Sequence, residues 1–161
     1  MKGLIFSLLL FVSLQSNAQI TVDQAGNDWK SIVDSALQKI QSCDSLTYQF
    51  ILKNVAHIEM WNGSFSTTEI DNNNKWAVVI SARDFEFHSI NNIACVIVHE
   101  GFHVSRYLVG NLTCDDHEEV LAYEFEQEFQ KKLKDAEPWL TLSTTYHLNF
   151  YKDRLKKHEC K

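Results

Sequence analysis

The chain has 161 residues, with 15 Lys and Arg against 21 Asp and Glu and a formal charge of −6. That length suits one domain with a real core, and the acidic balance argues against nucleic acid or an anionic membrane as partner. The longest apolar run, Leu4 to Leu14, is too short to span a bilayer comfortably, so no stable membrane insertion of the mature chain is expected.

In chain order, that run comes first. Lys2 precedes it, Ser7 and Ser13 alone interrupt it, and Ser16 and Ala18 set small residues at the −3 and −1 positions of a cut after Ala18. The sequence charge, apolar core, small residues is that of a cleaved secretory signal over residues 1–18. It predicts an exported protein, periplasmic or extracellular, with a single domain over 19–161. No Cys stands at the cut to carry a lipid anchor. Cys43, Cys95, Cys114 and Cys160 make an even set, which in an exported chain predicts at least one disulfide and leaves three pairings open. Cys95 sits in an apolar run, where a buried free thiol is the alternative.

Asp28 to Cys43 reads as a helix, because Trp29, Ile32, Val33, Ala36, Leu37 and Ile40 recur at three- and four-residue steps. Tyr48 to Leu52 reads as the start of a strand, and His57 to Trp61 alternates as one. Asn62-Gly63 marks a turn, Ser64 to Ile70 a further short strand, and Asp71 to Lys75 a polar loop. Trp76 to Ser81 is the clearest strand: short, branched and apolar. Its edge is a candidate for receiving an extended peptide. Ser89 or Asn91 can cap a helix that runs past Tyr107 and ends at Gly110-Asn111. Asp116 can cap another from His117 to about Leu133. Pro138 marks a break, after which Ser143 or Thr144 starts a last helix toward His158. Strands gathered in the first half and helices in the second predict an α+β domain.

The chemistry concentrates in CVIVHEGFHVSRY, Cys95 to Tyr107. His99 and His103 lie four apart, so on a helix they stack one turn above each other and their imidazoles can converge on one ion. Neutral imidazole suits zinc. Glu100 projects about 100° around the helix, clear of ligation yet within reach of a water activated by the metal. Two ligands and a base therefore stand where water activation needs them. Gly101 is the discordant residue, costing the helix about 1 kcal/mol. Its missing side chain would leave room near the metal.

With the downstream E119-V-L-A122-Y123, the motif H99-E-G-F-H103 resembles the zincin metallopeptidases, most closely their glutamate-ligated branch. The resemblance covers about Ile93 to Glu126. It implies a zincin-like fold, Zn2+ as cofactor, His99, His103 and Glu119 as ligands, Glu100 as catalytic base, and peptide or protein as substrate. The small Ala122 would let the following helix pack closely. Arg106 and Val109 stand where the metzincin form has a glycine and a third histidine, so that form is excluded. The asparagine–glutamate pair and later aspartate of the best-known glutamate branch are absent. Periodicity offers Glu118 instead of Glu119, since Glu118 shares an apolar face with Leu121, Ala122, Phe125 and Phe129, where a carboxylate must be paired or metal-bound. His117 and the neighbouring aspartates are further candidates. His117 or Cys114 would close a purely structural site. Tyr123, Tyr146 and His147 are available to assist but read equally well as packing residues. The expected activity is zinc-dependent hydrolysis of peptide bonds. The alternatives are a noncatalytic exported interaction module on the same scaffold and an amidase acting on cell-wall peptides.

Overall fold

The computed structural model describes residues 20–22, 27–71, 73–86, 89–110 and 113–157. The expected signal segment 1–18, His88, His158 and Cys160 lie outside them. In chain order the elements are β1 (Thr21–Val22), α1 (Asn27–Cys43), α2 (Ser45–Asn54), β2 (His57–Trp61), β3 (Thr67–Ile70), β4 (Trp76–Ser81), α3 (Ala82–Glu86), α4 (Ile90–Leu108), α5 (Asp115–Gln130) and α6 (Pro138–Lys157). This is the expected α+β domain, with strands mainly in its first half.

The sheet runs in the order β1-β2-β4-β3. β1, β2 and β4 are parallel, with His57 opposite Ala77 and Trp61 opposite Ser81. β3 closes one side antiparallel to β4, Thr67 opposite Val79. Trp76 to Ser81 is therefore an inner strand, and the edge proposed for it belongs to β3. Burial on both faces explains its unbroken apolar run, with Ala77 to Ser81 all buried.

Tyr48 to Leu52 is helical, contrary to its strand-like residue types. Asp44 caps α2 by accepting from the Thr47 amide and from the Thr47 hydroxyl at 2.6 Å. Thr47, Ile51 and Val55 then fall at four-residue steps and are buried. Capping and burial override a propensity that only reflects fit to a pleated surface. Lys132 pairs with Asp44 and ties the end of α5 to this cap. Two boundaries also move. α5 starts at Asp115, so Asp116 lies in its first turn and Cys114 holds the cap position without a side-chain capping hydrogen bond. α6 starts at Pro138, where a missing N–H costs nothing because first-turn donors have no helical acceptor.

α4 occupies the middle of the molecule, between α1, α2, α5 and the sheet. Ile93, Ala94, Ile97, Val98 and Val104 are fully buried along it, and Cys95 nearly so. Ser89 caps it by accepting from the Asn92 amide, and Gly110 follows it at φ 65°, the left-handed turn that releases the chain from a helix. No helix among the described residues is long and apolar enough to cross a membrane.

Gly101 has a packing explanation unrelated to any metal. A Cβ at this position would stand 2.3 Å from Ile51 Cδ1 and 3.6 Å from Val55 Cγ2, so the missing side chain makes room for Ile51 of α2 against α4. Ile51 is fully buried and has little room to turn aside. Gly101→Ala is expected to destabilise by about 1 kcal/mol, because overpacking of about 1–3 kcal/mol outweighs a helix-propensity gain of up to about 1. Ile51→Val removes the obstructing methyl at a cost of about 0.5–1.5 kcal/mol. The double variant should therefore be more stable in urea unfolding than the two single effects predict. Additivity within about 0.5 kcal/mol would show that the two positions do not compete for space.

Candidate metal centre

Helical spacing on α4 places His99 and His103 on one face, ring centroids 5.0 Å apart. Both are nearly enclosed, as is Glu100 between them, at 7%, 8% and 8% exposed in chain order. α5 packs across α4, with the fully buried Ala122 supplying low bulk on the turn after Glu119. Glu119 enters the imidazole pair from this helix. Its Oε2 lies 3.5 Å from His99 Nε2 and its Oε1 3.4 Å from His103 Nε2, while the two Nε2 atoms are 3.3 Å apart. His99, His103 and Glu119 thus offer donor atoms all within 4.8 Å of one another. Among the described residues no fourth His, Cys, Asp or Glu joins them. Glu119 is the more open member, its side chain 27% exposed against 9% and 10% for the histidines, so solvent reaches the centre on that side.

Glu118 is buried, as its apolar face required, but its charge is met elsewhere. Arg106 Nε and Nη2 donate to it at 3.0 and 3.1 Å, and the Thr113 amide and hydroxyl at 2.8 and 2.6 Å. The Arg106 bonds, with help from Thr113 and against the effect of burial, hold its carboxyl down to about 2. Glu118 therefore clamps the end of α4 to the start of α5 and points away from the imidazoles. His117 Nδ1 donates to the Thr113 hydroxyl, whose own proton goes to Glu118, at 2.6 Å, and Asp116 pairs with Arg154 at 3.1 Å. Neither reaches the cluster.

The electrostatics of the three central groups favour a cation. Burial opposes charge on His99, yet hydrogen bonds to Glu119 and Glu126, together with the nearby Glu100 charge, lift it to about 10. Burial likewise raises Glu119, but its bonds to His103 and His99 prevail and bring it to about 2. Three carboxylates around two imidazoles leave a pocket whose negative charge needs a positive partner, and a proton on His99 meets that need in the free protein. Glu100 is pushed up by burial, against the pull of His99 and His103, with Glu119 and Asp84 adding to the rise. It has no hydrogen-bond partner among the described residues, which leaves its carboxyl free to serve a bound water.

One participant was not anticipated. Glu126, two turns beyond Glu119 on α5, places Oε2 3.1 Å from His99 Nδ1. The only hint in the sequence was that 119 and 126 share a helix face. Tyr123 packs its ring 4.3 Å from that of His99 and is stacked in turn on His147 and Tyr151 of α6 at 5.5 and 5.8 Å. Tyr146 is exposed and meets this group only through His147. His57 pairs with Asp71 at 3.8 Å, in a separate contact.

No protein-family model matches the chain, and no curated protein matches it.

Proposed function

We propose that the chain is an exported zinc-dependent hydrolase of peptide bonds, with His99, His103 and Glu119 as ligands and Glu100 as general base. The spacing of the donor atoms carries this reading. Zinc bonds to His nitrogen and carboxylate oxygen of about 2.0–2.1 Å require ligand atoms about 3.3 Å apart at tetrahedral angles. The two Nε2 atoms are 3.3 Å apart, and each lies 3.4–3.5 Å from one of the two Glu119 carboxylate oxygens, Oε1 facing His103 and Oε2 facing His99. Two imidazoles and one carboxylate are a donor set suited to zinc, and three protein ligands fit a site that keeps one position open.

When bound, zinc supplies a Lewis acid that acidifies water and polarises a carbonyl. The chain's own residues do the rest. His99, His103 and Glu119 hold the ion against α4 and α5. Glu100 takes a proton from the attacking water and returns it to the departing amine. Export rests on the order of residues over 1–18. Among the described cysteines, Cys43 and Cys95 are free thiols.

Zinc content and turnover measured together test the reading. Purified mature protein should bind about one zinc per chain and cleave members of a broad peptide library, lose cleavage to a chelator and recover it with zinc. A zinc-loaded protein inert toward every peptide would favour the interaction module. Cleavage confined to cell-wall peptide amides would favour the amidase.

A further inference from the structure

His99 is tied to the last helix through Glu126. Glu126 is buried and its carboxylate is surrounded by donors. His99 Nδ1 lies 3.1 Å from Oε2. The Thr144 hydroxyl of α6 donates to Oε1 at 2.7 Å, and Gln130 Nε2 donates to the same oxygen at 2.8 Å. Gln130 Nε2 also donates to Thr144 Oγ1 at 2.7 Å, closing a triangle among the three side chains. Thr144 and Gln130 are themselves buried, at 3% and 5% exposed.

The directions follow from donor and acceptor inventory. A carboxylate only accepts. Thr144 has one hydroxyl proton, which goes to the Glu126 carboxylate at 2.7 Å in preference to the Leu140 carbonyl at 3.2 Å, and its oxygen accepts from Gln130. His99 must then carry a proton on Nδ1 in either charge state, and Nε2, which faces His103 and Glu119, is the nitrogen that gives up its proton when the ring becomes neutral. The ring cannot rotate without leaving a buried carboxylate short of a donor.

We infer that Glu126 is a positioning residue for His99, and that Thr144 and Gln130 hold it in place, so that α6 sets the orientation of a metal ligand it never touches. This rests on the proposed zinc site. Carboxylates behind metal-bound histidines fix both tautomer and ring angle, and their loss typically weakens metal binding about 10–100-fold. Here the carboxylate is itself fixed by a hydroxyl from another helix, so the dependence extends across the α5–α6 contact.

The test compares zinc affinity, by competition with a chelating dye, across four variants checked for fold by circular dichroism. Glu126→Gln should weaken binding about 10–100-fold. Thr144→Val, nearly isosteric, should weaken it in the same direction, and Thr144→Ser should restore it. Thr145→Val is the control. It deletes the neighbouring α5–α6 bond, from Gln127 Nε2 to Thr145 Oγ1 at 3.2 Å, and should leave zinc affinity unchanged. Equal effects of the Thr144 and Thr145 changes, or none from Thr144→Val, would overturn the inference. A second readout needs no metal. In the free protein the His99 Nδ1 proton should give a slowly exchanging, downfield resonance that moves upfield in Thr144→Val and Glu126→Gln but not in Thr145→Val. Should the protein bind no zinc, the hydrolase reading falls while this resonance still decides the positioning role. Its absence from the unaltered protein would defeat that role independently.

Discussion

Replacing Glu100 with Gln is expected to leave zinc bound and to lower peptide hydrolysis by about 10²- to 10⁴-fold, the range that a positioned general base contributes. The change is nearly isosteric and falls at a position 8% exposed, so packing around α4 is preserved. It also removes no hydrogen bond, since Glu100 has no such partner among the described residues. What it removes is the capacity to take up a proton. That capacity is tuned here by burial, which lifts the carboxyl above its usual range while His99 and His103 pull the other way. A base held nearer neutrality returns its proton to a leaving amine more readily than an ordinary carboxylate does. The measurement is kcat/KM on the best library peptide, with zinc per chain determined on the same sample. Undiminished turnover in Glu100→Gln would remove Glu100 from the chemistry. Loss of zinc along with turnover would mean that it serves the metal instead.

The parts of this molecule that were legible in sequence are those decided within a few residues. α1 announces itself by helical periodicity, β4 by a short unbroken run of branched apolar residues, and His99, Glu100 and His103 by helical spacing. α2 reads as strand-like because Tyr48, Phe50 and Ile51 are strand-forming types, while the features that decide the matter are the Asp44 cap and the four-residue burial of Thr47, Ile51 and Val55. The position of β4 inside the sheet depends on pairing with β2 and β3 on either side, which no local pattern encodes. Gly101 was legible as unusual but not as the contact point with Ile51, a residue on another helix. Glu126 joins His99 across 27 residues and Thr144 across 18. Its role exists only after α5 has packed on α4 and α6 on α5. The ambiguity between Glu118 and Glu119 had the same origin. Burial identified Glu118 correctly as a carboxylate that needs a partner, but the partner was Arg106, whose place relative to α5 is tertiary.

That ambiguity yields the sharpest contrast between neighbouring positions. Glu119→Ala should abolish tight zinc binding, weakening it by more than about 100-fold and so beyond the range of changes behind a ligand. It takes away the one carboxylate that lies within 3.5 Å of both imidazoles. Hydrolysis should vanish with the metal, and added zinc should restore little of it. Glu118→Ala should do the reverse: keep about one zinc per chain and lower the melting temperature by a few degrees. The loss arises because Arg106 and Thr113 lose the acceptor that joins α4 to α5. The pH dependence separates the two further. A carboxyl held at about 2 in the folded protein by Arg106 and Thr113, against the ordinary glutamate value of 4.5 in the unfolded chain, contributes stability that is present above pH 4.5 and disappears as the pH falls toward 2. Metal-free wild type should therefore lose stability through that window more steeply than metal-free Glu118→Ala. Thermal unfolding from pH 6 down to 2, read beside zinc content at neutral pH, provides both comparisons. If Glu118→Ala emptied the site while Glu119→Ala kept its zinc, the ligand assignment would be reversed. The separations that led to the zinc proposal would then reflect no more than a hydrogen-bonded pair of histidines.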